Sequence, residues 1–197
     1  MDAAKQLFSS RGALTRTDEI EDAHSLTEGH AFWLDLLAIQ ISKRAPRITL
    51  TSLVDEIRSG GGPLPAATLN SIWSTLHGRE QTVLRAMAET VKPEDEGQIA
   101  EYLRYTLNYQ RTMKAIRALR SANLIVVKRR GGGKDLLELH PLVRQFIRQN
   151  FSPPERLGFI DAILTVYRRF IVIHKPNLGG NPSFTILQFW TQNAELY

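Results

Sequence analysis

One histidine stands between an apolar run and a proline: residues 136–146 read LLELHPLVRQF. An imidazole titrates near neutrality and can donate a hydrogen bond to phosphate in either protonation state. If Pro141 opens a helix, His140 takes the N-cap, because proline favours the first helical position. The unpaired N–H groups of the first turn and the positive end of the helix then surround the ring. Those surroundings favour an anion. The competing explanation is a histidine that caps a helix after a strand and does nothing more.

A second set of residues is also suited to phosphate. Residues 108–150 hold ten Lys/Arg against two acids, Asp135 and Glu138, a net of +8. The remaining residues hold fifteen bases and eighteen acids, so the chain's overall +5 is a local patch. Arg111, Lys114, Arg117 and Arg120 fall on a helix predicted over 108–122; Lys128, Arg129, Arg130 and Lys134 flank the glycines 131–133. Such a patch serves nucleic acid or a nucleotide, or is a solvated basic face.

Other chemistries are excluded or weak. The chain has no cysteine, which removes disulfides, thiol nucleophiles and cysteine-zinc sites and fits a reducing, cytoplasmic setting. None of His24, His30, His77, His140 and His174 forms a local metal pair, and no G-x-S-x-G elbow occurs. The run RRGGGKD fails as a Walker A loop, since Lys128 stands at the first glycine position and Asp135 follows Lys134. The acidic cluster Glu94, Asp95 and Glu96 reads as a helix N-terminus, where the dipole favours it. No residue is nominated as catalytic or metal-binding. No signal peptide or membrane-spanning run is present in the sequence.

The elements that would position these residues are mostly helical. Apolar spacing predicts helices near 3–10, 17–28, 30–42 and 50–59, the second capped by Thr17 or Asp18 and the fourth by Thr51 or Ser52. Residues 30–42 are apolar on adjoining faces, so that helix is expected to be buried on more than one side. Glycines 60–62 and Pro63 mark a linker. Helices then follow at 66–76, 79–90, 94–107 and 108–122, the third with Ile99, Leu103 and Leu107 inward. The period next changes to β: LIVVKRR, a glycine turn, and DLLELH with Leu137 and Leu139 alternating against Glu138. Three helices followed by such a hairpin predict a winged helix-turn-helix. Helices at 141–150, 155–173 (Leu157, Ile160, Leu164, Tyr167 and Ile171 inward) and 183–197 complete the chain. The fold class is thus mainly α with a small β-hairpin wing. The expected domains are a helical domain over 1–63, a winged helix over 64–151 and the start of a helical, repeat-like sensor region over 152–197.

Three segments in order carry a family resemblance. AAKQLFSSRG (3–12), TEGHAFWLDLLA (27–38) and LELHPLVRQF (137–146) resemble the A-x-x-L-F helix closing the core, the G-x-P-x-x-L helix start and the M-H-D motif of STAND signalling ATPases. These are the AP-ATPase, NB-ARC and NACHT relatives. The resemblance covers most of residues 1–150 and departs at Ala31, where the family has proline, and at Pro141, where it has aspartate. It implies that His140 reaches the phosphate of ADP and that Gly29, His30 and Ala31 line the base pocket. The chain carries no Walker A or Walker B motif, so it looks like the C-terminal half of a switch. ADP or ATP would be held only together with a P-loop core in the same or another chain, and the chain alone is not expected to hydrolyse ATP. The C-terminal helices are expected to receive a protein partner, and no membrane partner is expected. The rival function is a DNA-binding regulator whose helix 108–122 enters the major groove, with the wing on the backbone.

Overall fold

The computed structural model describes residues 1–44, 46–59, 64–129, 134–174 and 191. The chain divides into two compact units, Met1–Leu76 and His77–Tyr197.

In the first unit, helix α1 (Asp2–Ser10) buries Ala4 and Phe8 and ends at Arg11. Gly12, at φ +69°, turns the chain away. Helix α2 (Thr17–Leu26) starts one residue earlier than Thr17 or Asp18 capping requires: Arg16 is the N-cap, and the Glu19 carboxylate accepts its backbone N–H at 3.0 Å. Helix α3 (Ala31–Arg44) is buried at every position from Phe32 to Ile41, as its two apolar faces predict. The one acid in that stretch, Asp35, is held by Arg11 through hydrogen bonds of 2.6 and 2.8 Å, which answers the cost of burying a carboxylate. Helix α4 (Leu50–Ser59) is capped by Thr49, whose hydroxyl accepts the Ser52 N–H at 3.2 Å, in place of Thr51 or Ser52. Leu50, Leu53, Val54 and Ile57 carry its inner face into a core with Phe8, Leu37 and Ile41. Helix α5 (Leu64–Thr75) packs on α3 and α4. Residues 60–63, where the glycine linker is expected, lie outside the described set.

The second unit begins with helices α6 (Gly78–Glu89), α7 (Glu96–Leu103) and α8 (Tyr109–Ser121). Val83, Leu84, Met87, Ile99, Leu103, Ile116 and Leu119 are buried, on the faces that helical spacing predicts. Leu107 is only half-buried. Strands β1 (Ile125–Lys128) and β2 (Leu136–Leu139) pair antiparallel, Ile125 opposite Leu139 and Lys128 opposite Leu136. The alternation holds: Leu137 and Leu139 are buried and Glu138 is half-exposed. On its other side β2 meets the loop before α7, where Glu94 bridges Leu137. Helix α9 (Pro141–Asn150) buries Val143, Phe146 and Ile147. Helix α10 (Pro153–His174) packs on α6 and α7 through Ile163, Leu164 and Tyr167; Leu157, expected inward, is 52% exposed. Of the helix expected at 183–197, only Thr191 is among the described residues, and it is helical. The described architecture is mainly helical, with a two-stranded antiparallel sheet.

Candidate functional site

The position of His140 follows from its neighbours. The hairpin register brings β2 to its last pair at Leu139, and Pro141, which cannot donate to a ladder, opens α9. His140 is left at the N-cap with φ −56° and ψ 135°. Its Nδ1 accepts the Leu142 N–H at 3.4 Å, and the His140 backbone N–H donates to the Leu124 carbonyl at 3.4 Å. With Nδ1 accepting, the neutral ring carries its proton on Nε2. The ring is half-buried.

Helix α9 is fixed against α6. Arg144 donates to the Ala88 and Thr90 carbonyls, and Arg148 Nε donates to Ala88 at 2.9 Å. These are orphan acceptors at the C-terminal end of α6, where cations are favoured. Burial, with help from the neighbouring Arg148, lowers the affinity of Arg144 for its proton. Glu89, 2% exposed, is gripped by Arg156 of α10 through bonds of 2.8 and 2.7 Å. Three arginines of the C-terminal half thus serve the end of one helix.

The remaining residues expected in a nucleotide pocket belong to the first unit. Glu28 and Gly29 both adopt positive φ, +51° and +72°, in the connector from α2 to α3. A Cβ on Gly29 would lie 2.8 Å from His24 Nε2. His30 is exposed, its ring 6.3 Å from that of Trp33. Ala31 is the exposed first residue of α3.

The basic patch is partly spent on internal partners. Arg120 pairs with Glu96 at 3.2 Å, Lys128 pairs with Glu138, and Arg117 Nε donates to the Met113 carbonyl at 3.3 Å. Arg111, Lys114, Arg129 and Lys134 are exposed. Helical geometry puts Gln110, Lys114, Arg117 and Ser121 on one stripe of α8, with Arg111 and Arg120 on its two flanks. Arg130 lies outside the described residues.

One cluster was invisible to local spacing. Of the three acids at the start of α7, Asp95 is the cap, accepting the Gln98 N–H at 2.9 Å, and Glu96, the first helical residue, pairs with Arg120. Glu94 is 1% exposed. Its Oε1 accepts from the hydroxyls of Tyr102 at 2.8 Å and Tyr167 at 2.9 Å. Lys92 Nζ stands 3.3 Å from Oε2, in ion-pair range but without hydrogen-bond alignment. Burial pushes the Glu94 carboxyl up, against the pulls of Lys92 and the two tyrosines. Burial likewise pushes the Tyr102 phenol up, so it remains a donor.

Among the described residues no group of three or more His, Asp or Glu is placed to hold a metal, and no helix is long and apolar enough to cross a membrane. No protein-family profile matches the chain, and no curated protein matches it.

Proposed function

We propose that the chain is the regulatory, nucleotide-state-sensing part of a STAND-type signalling ATPase. In this reading α6 to α8, the hairpin and α9 act as a winged helix. It clamps ADP held by a P-loop core in the same or another chain. The observation that carries the reading is His140 at the N-cap of α9 with Nδ1 occupied by Leu142 N–H. The ring then has Nε2–H as its donor, beside the positive end of a helix, which is what a clamp on a phosphate oxygen requires. In the same reading Gly29 to Ala31 line the base pocket. These residues carry no Walker A motif, and in this reading hydrolysis belongs to the core.

A charged hydrogen bond to phosphate contributes about 1.5–3 kcal/mol. In the nucleotide-loaded assembly, His140→Ala should therefore speed ADP release by roughly tenfold or more. Release measured with a fluorescent ADP analogue checks this, and an unchanged rate refutes the clamp.

A second reading is favoured by one observation: α8 contains no acidic residue and shows Gln110, Lys114 and Arg117 on an exposed stripe. Such a helix suits the major groove of duplex DNA, with the hairpin against the backbone. The double variant Lys114→Glu/Arg117→Glu should then weaken duplex binding and flatten its salt dependence by about two counterions. Fluorescence anisotropy that detects no binding of the unmodified chain at low salt removes this reading.

A further inference from the structure

The second unit contains a buried carboxylate that touches both α10 and the strand leading to His140. The side chain of Glu94 receives Tyr167 of α10 and Tyr102 of α7 on the same oxygen. Its backbone exchanges both hydrogen bonds with Leu137: the Glu94 N–H donates at 3.0 Å and the Leu137 N–H donates back at 2.8 Å. Leu137 lies three residues before His140 on a strand of four. The Tyr167 hydroxyl thus connects to the His140 imidazole through one side chain, one pair of backbone bonds and three residues of β2.

We propose that Glu94 is a positioning residue for His140 and that α10 controls it through the Tyr167 hydroxyl. The proposal rests on the switch reading and gives it a direction: displacement of α10 is what unlocks the winged helix. A carboxylate at 1% exposure is tolerated only while its hydrogen bonds last. When α10 withdraws, Glu94 loses one of its two donors and the cover over its site, and the favourable course is for it to turn toward water. That rotation takes the Glu94 backbone with it and strips β2 of its partner on that side. β2 is then held through β1, and the cap at His140 loses its fixed setting. Burial of Tyr167, 0% exposed, and its edge-to-face packing on Tyr102 with ring centroids 6.1 Å apart make the contact all-or-none: the ring cannot slide while keeping the hydroxyl in place.

Two variants test this in the full chain. Tyr167→Phe keeps the ring and removes the hydroxyl; Glu94→Gln keeps the acceptor oxygen and removes the charge. Native-state amide exchange and ¹⁵N spectra of the imidazole are recorded for each, without nucleotide. The expected result in Tyr167→Phe is about tenfold faster exchange at the Leu137 N–H relative to that of Ile116 in α8, an amide that reports general unfolding. The His140 signals should move from the Nε2–H tautomer toward a mixture. Glu94→Gln should give a smaller change of the same sign. A rise at Leu137 and Ile116 in equal proportion, with unmoved His140 signals, would mean that the cluster merely stabilises the unit, and would overturn the proposal. So would wild-type spectra in both variants. Neither measurement involves ADP, so a failed clamp and a failed coupling are told apart.

Discussion

At the scale of single residues, the buried acids set the strongest expectations. The Glu94 carboxyl is raised by burial, while in the unfolded chain it titrates at about 4.3. Below that value both states hold the proton and the stability it confers is fully present. As the pH rises from there through the higher folded value, the unfolded state releases its proton first, and stability is lost. The titratable groups facing Glu94 are Lys92 on its own loop and the phenols of α7 and α10; β2 contributes backbone alone. Urea titrations between about pH 4 and 8 should therefore show wild type losing stability relative to Glu94→Gln as pH rises. A constant difference across that range contradicts the assignment. Glu89 is held by a bidentate guanidinium, that of Arg156. Neither cluster was legible in the sequence. Glu94 stands beside two other acids, and the residues that explain it are eight and seventy-three positions away; local spacing assigns all three acids to the helix start, which holds for Asp95 and Glu96 but not for Glu94.

Elements were more legible, for a reason visible at their ends. The hairpin, α8 and α9 follow from a change of period, a glycine turn and a proline, all of which act locally. The burial of α3 on all sides follows from its composition. Caps were placed less well because the group that satisfies a helix's first N–H need not sit where propensity points. Glu19 reaches back to Arg16, and Thr49 rather than Thr51 or Ser52 serves α4. Leu157 shares the amphipathic spacing of α10 but is exposed, although its neighbour Arg156 reaches Glu89 of α6. Two substitutions test the local rules. Asp95→Ala removes the cap of α7 and should cost about 1 kcal/mol. Gly29→Ala forces a side chain onto φ +72° and a Cβ toward the His24 ring; it should cost about 1–2 kcal/mol. Chemical denaturation reads both, and a neutral Gly29→Ala would mean that the connector between α2 and α3 relaxes to a different backbone.

For the molecule as a whole, the distribution of charge and the division into two units determine what a mutation reaches. The +8 of residues 108–150 suggests a single basic surface, yet Arg144 and Arg148 are occupied by carbonyls of α6 and Arg120 and Lys128 by carboxylates. The charge therefore builds the second unit as much as it offers itself to a partner. Arg156→Ala makes the consequence measurable. It strips the bidentate partner from a carboxylate that is 2% exposed, leaving Arg148 at 3.9 Å. Stranding a buried charge in this way costs about 3 kcal/mol. Each unit has its own buried core, so each should unfold as its own cooperative body. The slowest amides of the second unit, such as those of Leu84 and Ile116, should then exchange about a hundredfold faster, since each 1.4 kcal/mol is tenfold. Those of Leu37 and Leu53 in the first unit should stay within about twofold of wild type. Hydrogen exchange by mass spectrometry resolves the two sets of peptides, and equal acceleration in both would show that the chain unfolds as one body.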